Sequence, residues 1–90
     1  MFRLTTNVLR MNTPEAISAR LAVAIAEAIK IAGLSQRDVA DRCGIPLVTL
    51  SRRLTGRTPF TIIEVAAICN ALGISLIEIA VRAERIKDAA

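Results

Sequence analysis

The stretch LSQRDVADRCGIPLVTLSRRLTG, Leu34 to Gly56, constrains the fold of this chain more than any other part. It reads as two short helices joined by a tight turn. Ser35 is placed to cap the first, its hydroxyl accepting a hydrogen bond from an otherwise orphan backbone N–H. Asp38 follows in the first turn, where the helix dipole favours an acid. Val39, Ala40 and Cys43 then fall on one face at helical spacing. Gly44 stands where a left-handed helix ending needs a residue without a Cβ. Pro46 fixes φ at the start of the second helix, where a missing N–H costs little. Leu50 and Leu54, four residues apart, give that helix a buried stripe.

The flanking chain supplies helices to hold this pair. Thr13-Pro14-Glu15 is a helix start, with a hydroxyl cap, a Pro in the first turn and an acid behind it. That helix should run to about Ala32, with Ile17, Leu21, Ala24, Ala28 and Ile31 as its apolar stripe, widened by Ile25 and Ile29. A stripe so wide implies contact on more than one side. Thr61 and Glu64 have capping-box spacing for a helix over Ile62 to Leu72, with Val65, Ile68 and Leu72 facing the core. Ser75 and Glu78 repeat that spacing for a last helix reaching about Lys87. There Leu76, Ile79 and Ala80 are expected to cover the core, which turns Ile77, Val81 and Ile86 elsewhere. An exposed apolar strip on a small domain marks a candidate dimer contact, local packing being the alternative.

Residues 1–12 have a different pattern. Phe2, Leu4, Thr6 and Val8 alternate with Arg3, Thr5, Asn7 and Leu9, the period of a strand. One strand cannot satisfy its own backbone groups, so it would pair with its copy in a second subunit. In that case Phe2, Leu4 and Val8 join the dimer candidates. A loose arm, or a minor-groove arm carrying Arg3 and Arg10, are the other readings. The chain therefore divides into an arm or strand, 1–12, and one helical domain, 13–88.

Ninety residues suit a single small domain. Its 53% apolar content includes only Phe2 and Phe60 as aromatics, so the core must be aliphatic and an all-helical bundle fits. The net charge of +4 is mild, but its distribution is not. Between Arg42 and Ile63 lie Arg42, Arg52, Arg53 and Arg57 and no acid, a local cationic zone that attracts phosphate. Cys43 and Cys69, without any His, make no zinc set and read as small core residues in a reducing cytoplasm. The absence of His, of a glycine-rich phosphate loop and of a convincing carboxylate pair argues against an enzyme, a metal or a cofactor. No apolar run is long enough to span a membrane, and no secretion signal is evident.

Taken in order, LSQ, Val39-Ala40, Gly44-Ile45, Thr49-Leu50-Ser51-Arg52 and Gly56 resemble the lambdoid phage repressor/Cro class of helix-turn-helix. The resemblance continues through EVAAICNALGIS and LIEI and covers half to two-thirds of the chain. It implies a five-helix, all-α, lambda-repressor-like DNA-binding domain, with room for a short N-terminal strand. The second helix of the pair would enter the major groove while the first lies across the backbone.

The resemblance aims Leu47, Val48, Ser51 and Arg52 at the bases, with Thr49 beside them. Leu50 and Leu54 claim the opposite face, which agrees with helical geometry. Arg52 can donate two hydrogen bonds to guanine, and Leu47 and Val48 can pack on thymine methyls. Many relatives carry Gln or Ser at these two positions. Ser35, Gln36, Arg37, Arg53, Arg57 and Thr58 are the phosphate candidates. Ala40 and Gly44 are structural, a small residue for close helix approach and a turn. Arg53 stands where the family usually has an apolar residue. Ile29 and Leu54 stand where some relatives carry an Arg–Glu pair, and a joint apolar replacement of a buried ion pair is tolerated.

These features predict a sequence-specific, double-stranded-DNA-binding transcriptional regulator of phage or prokaryotic type. It would act as a repressor in the cytoplasm, on the nucleoid, binding a palindromic operator as a homodimer. The alternative is an antitoxin-like module that covers a partner protein, with or without DNA.

Overall fold

The computed structural model describes residues 13–86. They form five helices: α1 (Pro14–Ile31), α2 (Gln36–Cys43), α3 (Leu47–Leu54), α4 (Ile62–Leu72) and α5 (Leu76–Arg85). No strand occurs among the described residues. The strand or arm expected over residues 1–12, and with it Phe2, Leu4 and Val8, lies outside them.

Local chemistry sets the helix boundaries. The Thr13 hydroxyl accepts the Ala16 N–H at 3.2 Å and starts α1. Ser35 and Asp38 form a reciprocal capping box on α2, each of its two hydrogen bonds 3.0 Å long. Thr61 and Glu64 form a second box on α4. The box expected at α5 is only half made. The Ser75 hydroxyl accepts the Glu78 N–H, but the Glu78 carboxylate turns instead to Arg82, one turn on, at 2.9 Å.

The start of α3 differs. Pro46 is the residue before the first helical one, extended at ψ 139°, and α3 has neither a side-chain cap nor an acid in its first turn. Gly44 adopts φ +68°, the left-handed conformation expected of it, and lets the Ile45 N–H reach the Ala40 carbonyl at 3.0 Å.

The core is aliphatic. Ile25, Val39, Leu50, Val65, Ile68 and Ile79 are its largest fully buried side chains. The most extensive helix pairing joins α1 to α5, while α2 packs on α3 and α4. Within α1 the buried side runs through Ala24, Ile25, Ala28 and Ile29, with Leu21 at its edge. Ile17 and Ile31, expected in the stripe, are exposed. The partner helices cover less than the full apolar arc: Ile17 lines a surface groove, and Ile31 is the last helical residue.

Leu76 and Ala80 likewise stand exposed on α5, where only Ile79 and Ala83 are buried. Ile86, expected to face away, packs against the core. Burial raises the thiol pKa of both Cys43 and Cys69, with the Glu78 charge adding to it at Cys69, so both stay thiols at neutral pH.

No single described helix is long and apolar enough to cross a membrane. Helices α4 and α5 meet that length only together, across a bend of 104°. Both put their buried side chains into the domain core.

Candidate nucleic-acid interface

Helix α3 has one committed face. Leu50 is fully buried, and Leu47 and Leu54 pack partly against the core on either side of it. This anchoring forces the remaining positions outward. Val48 is 65% exposed, and Arg52, one turn further on, is exposed beside it. Ser51 and Thr49 are half-buried at the edges of the same surface. Four of the five sequence-predicted base readers thus border one outward strip. Leu47 is shared, since much of its side chain serves the core.

The start of α3 and the arginine that follows its end suit an anion. Its first N–H groups have no helical acceptor, and no side chain or acid covers them. At the other end the Thr55 hydroxyl donates to the Ser51 and Arg52 carbonyls at 3.1 and 3.2 Å. Gly56, at φ +79°, then turns the chain so that the Arg57 N–H reaches the Arg52 carbonyl at 3.0 Å. The exposed Arg57 and half-buried Thr58 follow directly after this turn.

On α2, Gln36 and Arg37 are exposed in the first turn. Ser35 is exposed too, but its N–H already donates to Asp38 and its hydroxyl oxygen accepts from the Asp38 N–H. These bonds hold the Asp38 carboxyl below the usual carboxylate range, so this helix start carries a full negative charge. Ala40 is buried, as a close helix approach requires.

Arg53 belongs to a different arrangement from the phosphate role given it by sequence. Its guanidinium donates from Nε to Glu64 Oε1 at 2.9 Å and from Nη2 to Glu64 Oε2 at 3.2 Å, with both side chains largely covered. Such a two-bonded fork fixes geometry as well as supplying energy. Glu64 Oε1 also accepts the Thr61 N–H at 2.9 Å. The carboxyl is held below its ordinary range chiefly by the Arg53 hydrogen bond, which outweighs the penalty of burial, with a lesser contribution from the Thr61 N–H.

One carboxylate therefore caps α4 and ties down the last turn of α3. This accounts for an arginine where an apolar residue was expected. The sequence reading assigned Glu64 only the cap. No local signal links it to Arg53, eleven residues earlier across a loop.

A helix laid behind, a glycine turn and a second helix with one face anchored and the other offered to solvent define a helix-turn-helix unit. The chain belongs to the HTH_3 helix-turn-helix family, of Cro/C1 type, whose model matches residues 25–79. The match begins within α1, ends within α5 and contains the whole of α2, α3 and α4. Membership carries DNA binding with it. No curated protein matches the chain.

Proposed function

We propose that the chain is a sequence-specific transcriptional regulator of phage or prokaryotic type that represses by occupying a palindromic operator as a homodimer. The observation that carries this reading is the pairing of Val48 and Arg52. They stand outward one turn apart on a helix whose other face is held by Leu50 in the core.

Arg52 supplies the specific hydrogen bonds, two to one guanine, and Val48 packs on a neighbouring thymine methyl. Ser51 and Thr49 add hydroxyls at the edge, and Leu47 contributes what the core leaves uncovered. The backbone is held by the open start of α3, by Gln36 and Arg37 on α2, by Ser35 through its hydroxyl hydrogen, and by Arg57 and Thr58 after the reader. Arg53 positions the reader rather than touching phosphate. Residues 13–88 form the DNA-binding domain and 1–12 an appendage to it.

One reading helix covers few base pairs, so two subunits are required, their half-sites about 34–36 Å or a multiple apart. Ile77, 76% exposed, and Val81, 42% exposed, support a subunit contact along α5. Selection of bound sites from random duplex DNA, followed by a salt titration, tests the reading. The expected result is a two-fold symmetric motif bound with a steep negative salt slope. Recovery of no motif, with a shallow slope, overturns it.

The antitoxin-like reading draws on the same apolar exposure. It gains if the protein co-purifies with a partner chain and binds no duplex at low salt.

A further inference from the structure

On the α1–α4–α5 side of the domain lies an apolar groove of about 390 Å³. Ile17 and Leu21 of α1, Ile62 of α4, and Leu76, Ala80 and Ala83 of α5 line it. Ile17, Ile62 and Leu76 are 46%, 67% and 43% exposed, so the domain leaves large aliphatic side chains uncovered there. Arg20 and Glu84 are the charged residues in its lining, one of each sign. The nucleic-acid interface makes no use of this surface, since none of its residues lines the groove.

We propose that the groove is the seat of Met1–Asn12 of the same chain. Three observations point to this occupant. The segment joins α1 at Thr13, one turn before Ile17, so it enters at the wall of the groove. Twelve residues reach at most about 40 Å when extended. The groove is within that reach. Phe2, Leu4 and Val8 recur on alternate positions and give an extended segment an apolar face to lay into it. Tethering gives the segment a high local concentration that a second copy would have to match.

The test uses the absence of Trp from the sequence. Phe2→Trp in the full chain places a sole indole reporter on the segment. The expected result is blue-shifted emission with several-fold weaker acrylamide quenching than in a free peptide of residues 1–12 carrying the same change. This signal should not vary on dilution. Adding Ala80→Glu, which puts a charge in the groove at an exposed position, should return the emission to that of the peptide while circular dichroism stays helical. Leu76→Glu serves the same purpose if the Ala80 variant fails to fold. Adding Ile77→Glu, outside the groove, should separate subunits and leave the blue shift intact.

Solvent-like emission from the parent reporter overturns the proposal, as does a blue shift that survives both groove variants. A blue shift that disappears on dilution, or with Ile77→Glu, overturns it in favour of a segment from a second copy. None of these outcomes depends on DNA binding, so the regulator reading stands or falls separately.

Discussion

Helices α3 and α5 are both short, and each has one face on the core and one in solvent, yet they are finished in opposite ways. Helix α5 starts with a Ser75 cap and Glu78, and its Glu78–Arg82 pair neutralises charge within the helix. What it leaves outside includes three large apolar side chains, Leu76, Ile77 and Val81, beside its charged residues. Helix α3 starts with Pro46, no cap and no acid, and ends with Arg52 and Arg53. What it leaves outside is Val48 and the exposed Arg52 side chain. The absence of a cap costs α3 stability of its own, about 1 kcal/mol by the usual worth of one. In exchange, its positive end stays open to a polyanion. Helix α5 keeps its positive end capped and shows aliphatic side chains to solvent.

The largest way to break this contrast is Leu50→Ala. Leu50 is fully buried and is the anchor of α3, so its truncation should destabilise the domain by about 2–5 kcal/mol, read by urea denaturation. DNA binding should fall with the fold. Next comes Arg52→Ala, which should cost specific binding about 1–3 kcal/mol and relax one base position while denaturation is unchanged. Titration with selected and scrambled duplexes reads it; equal affinities of parent and variant for the selected site would remove Arg52 from the reader.

The Glu64 clamp predicts an effect of about 1 kcal/mol, the size of a hydrogen-bonded charge pair. Its carboxyl pKa is lower folded than unfolded, so the unfolded chain binds the proton more readily. The stabilisation is therefore complete above the ordinary carboxylate range and is lost as pH falls through the depressed value. Arg53→Met should be less stable than the parent at pH 6, with the difference shrinking by pH 3 in matched denaturation curves. On the proposed role of Arg53 in positioning α3, the salt slope of DNA binding should be unchanged in that variant; a slope smaller by about one would make Arg53 a phosphate contact.

The smallest expected effect on the fold is the most pointed. Val48→Glu puts an acid into the first turn of α3, which helix electrostatics favours by about 0.3–1 kcal/mol. Thermal stability should hold or rise while DNA affinity drops, the two moving in opposite directions.

The helix starts were legible because caps are local. Thr13, Ser35, Thr61 and Ser75 each act within three residues, and Ile62–Leu72 falls where its capping box and Gly73 place it. The turn was legible for the same reason. The outward aim of Val48 and Arg52 followed from the leucines opposite them. What the sequence concealed is non-local. A periodic stripe shows that Ile17, Ile31, Leu76 and Ala80 share an apolar side, but not how far the partner helices extend over it. Ile86 packs inward although its spacing suggested otherwise. Arg53 looked like one more cation in an acid-free run, because Glu64 begins just beyond it in sequence and meets it only after the loop folds back.

Eight residues without a cap are too few to hold a helix in water, where fewer than about 12–15 are marginal. Helix α3 therefore has no existence apart from the scaffold behind it. A peptide copied from Leu47 to Leu54 should be coil and blind to sequence. Retargeting this protein means exchanging single outward side chains in place, never grafting the segment alone.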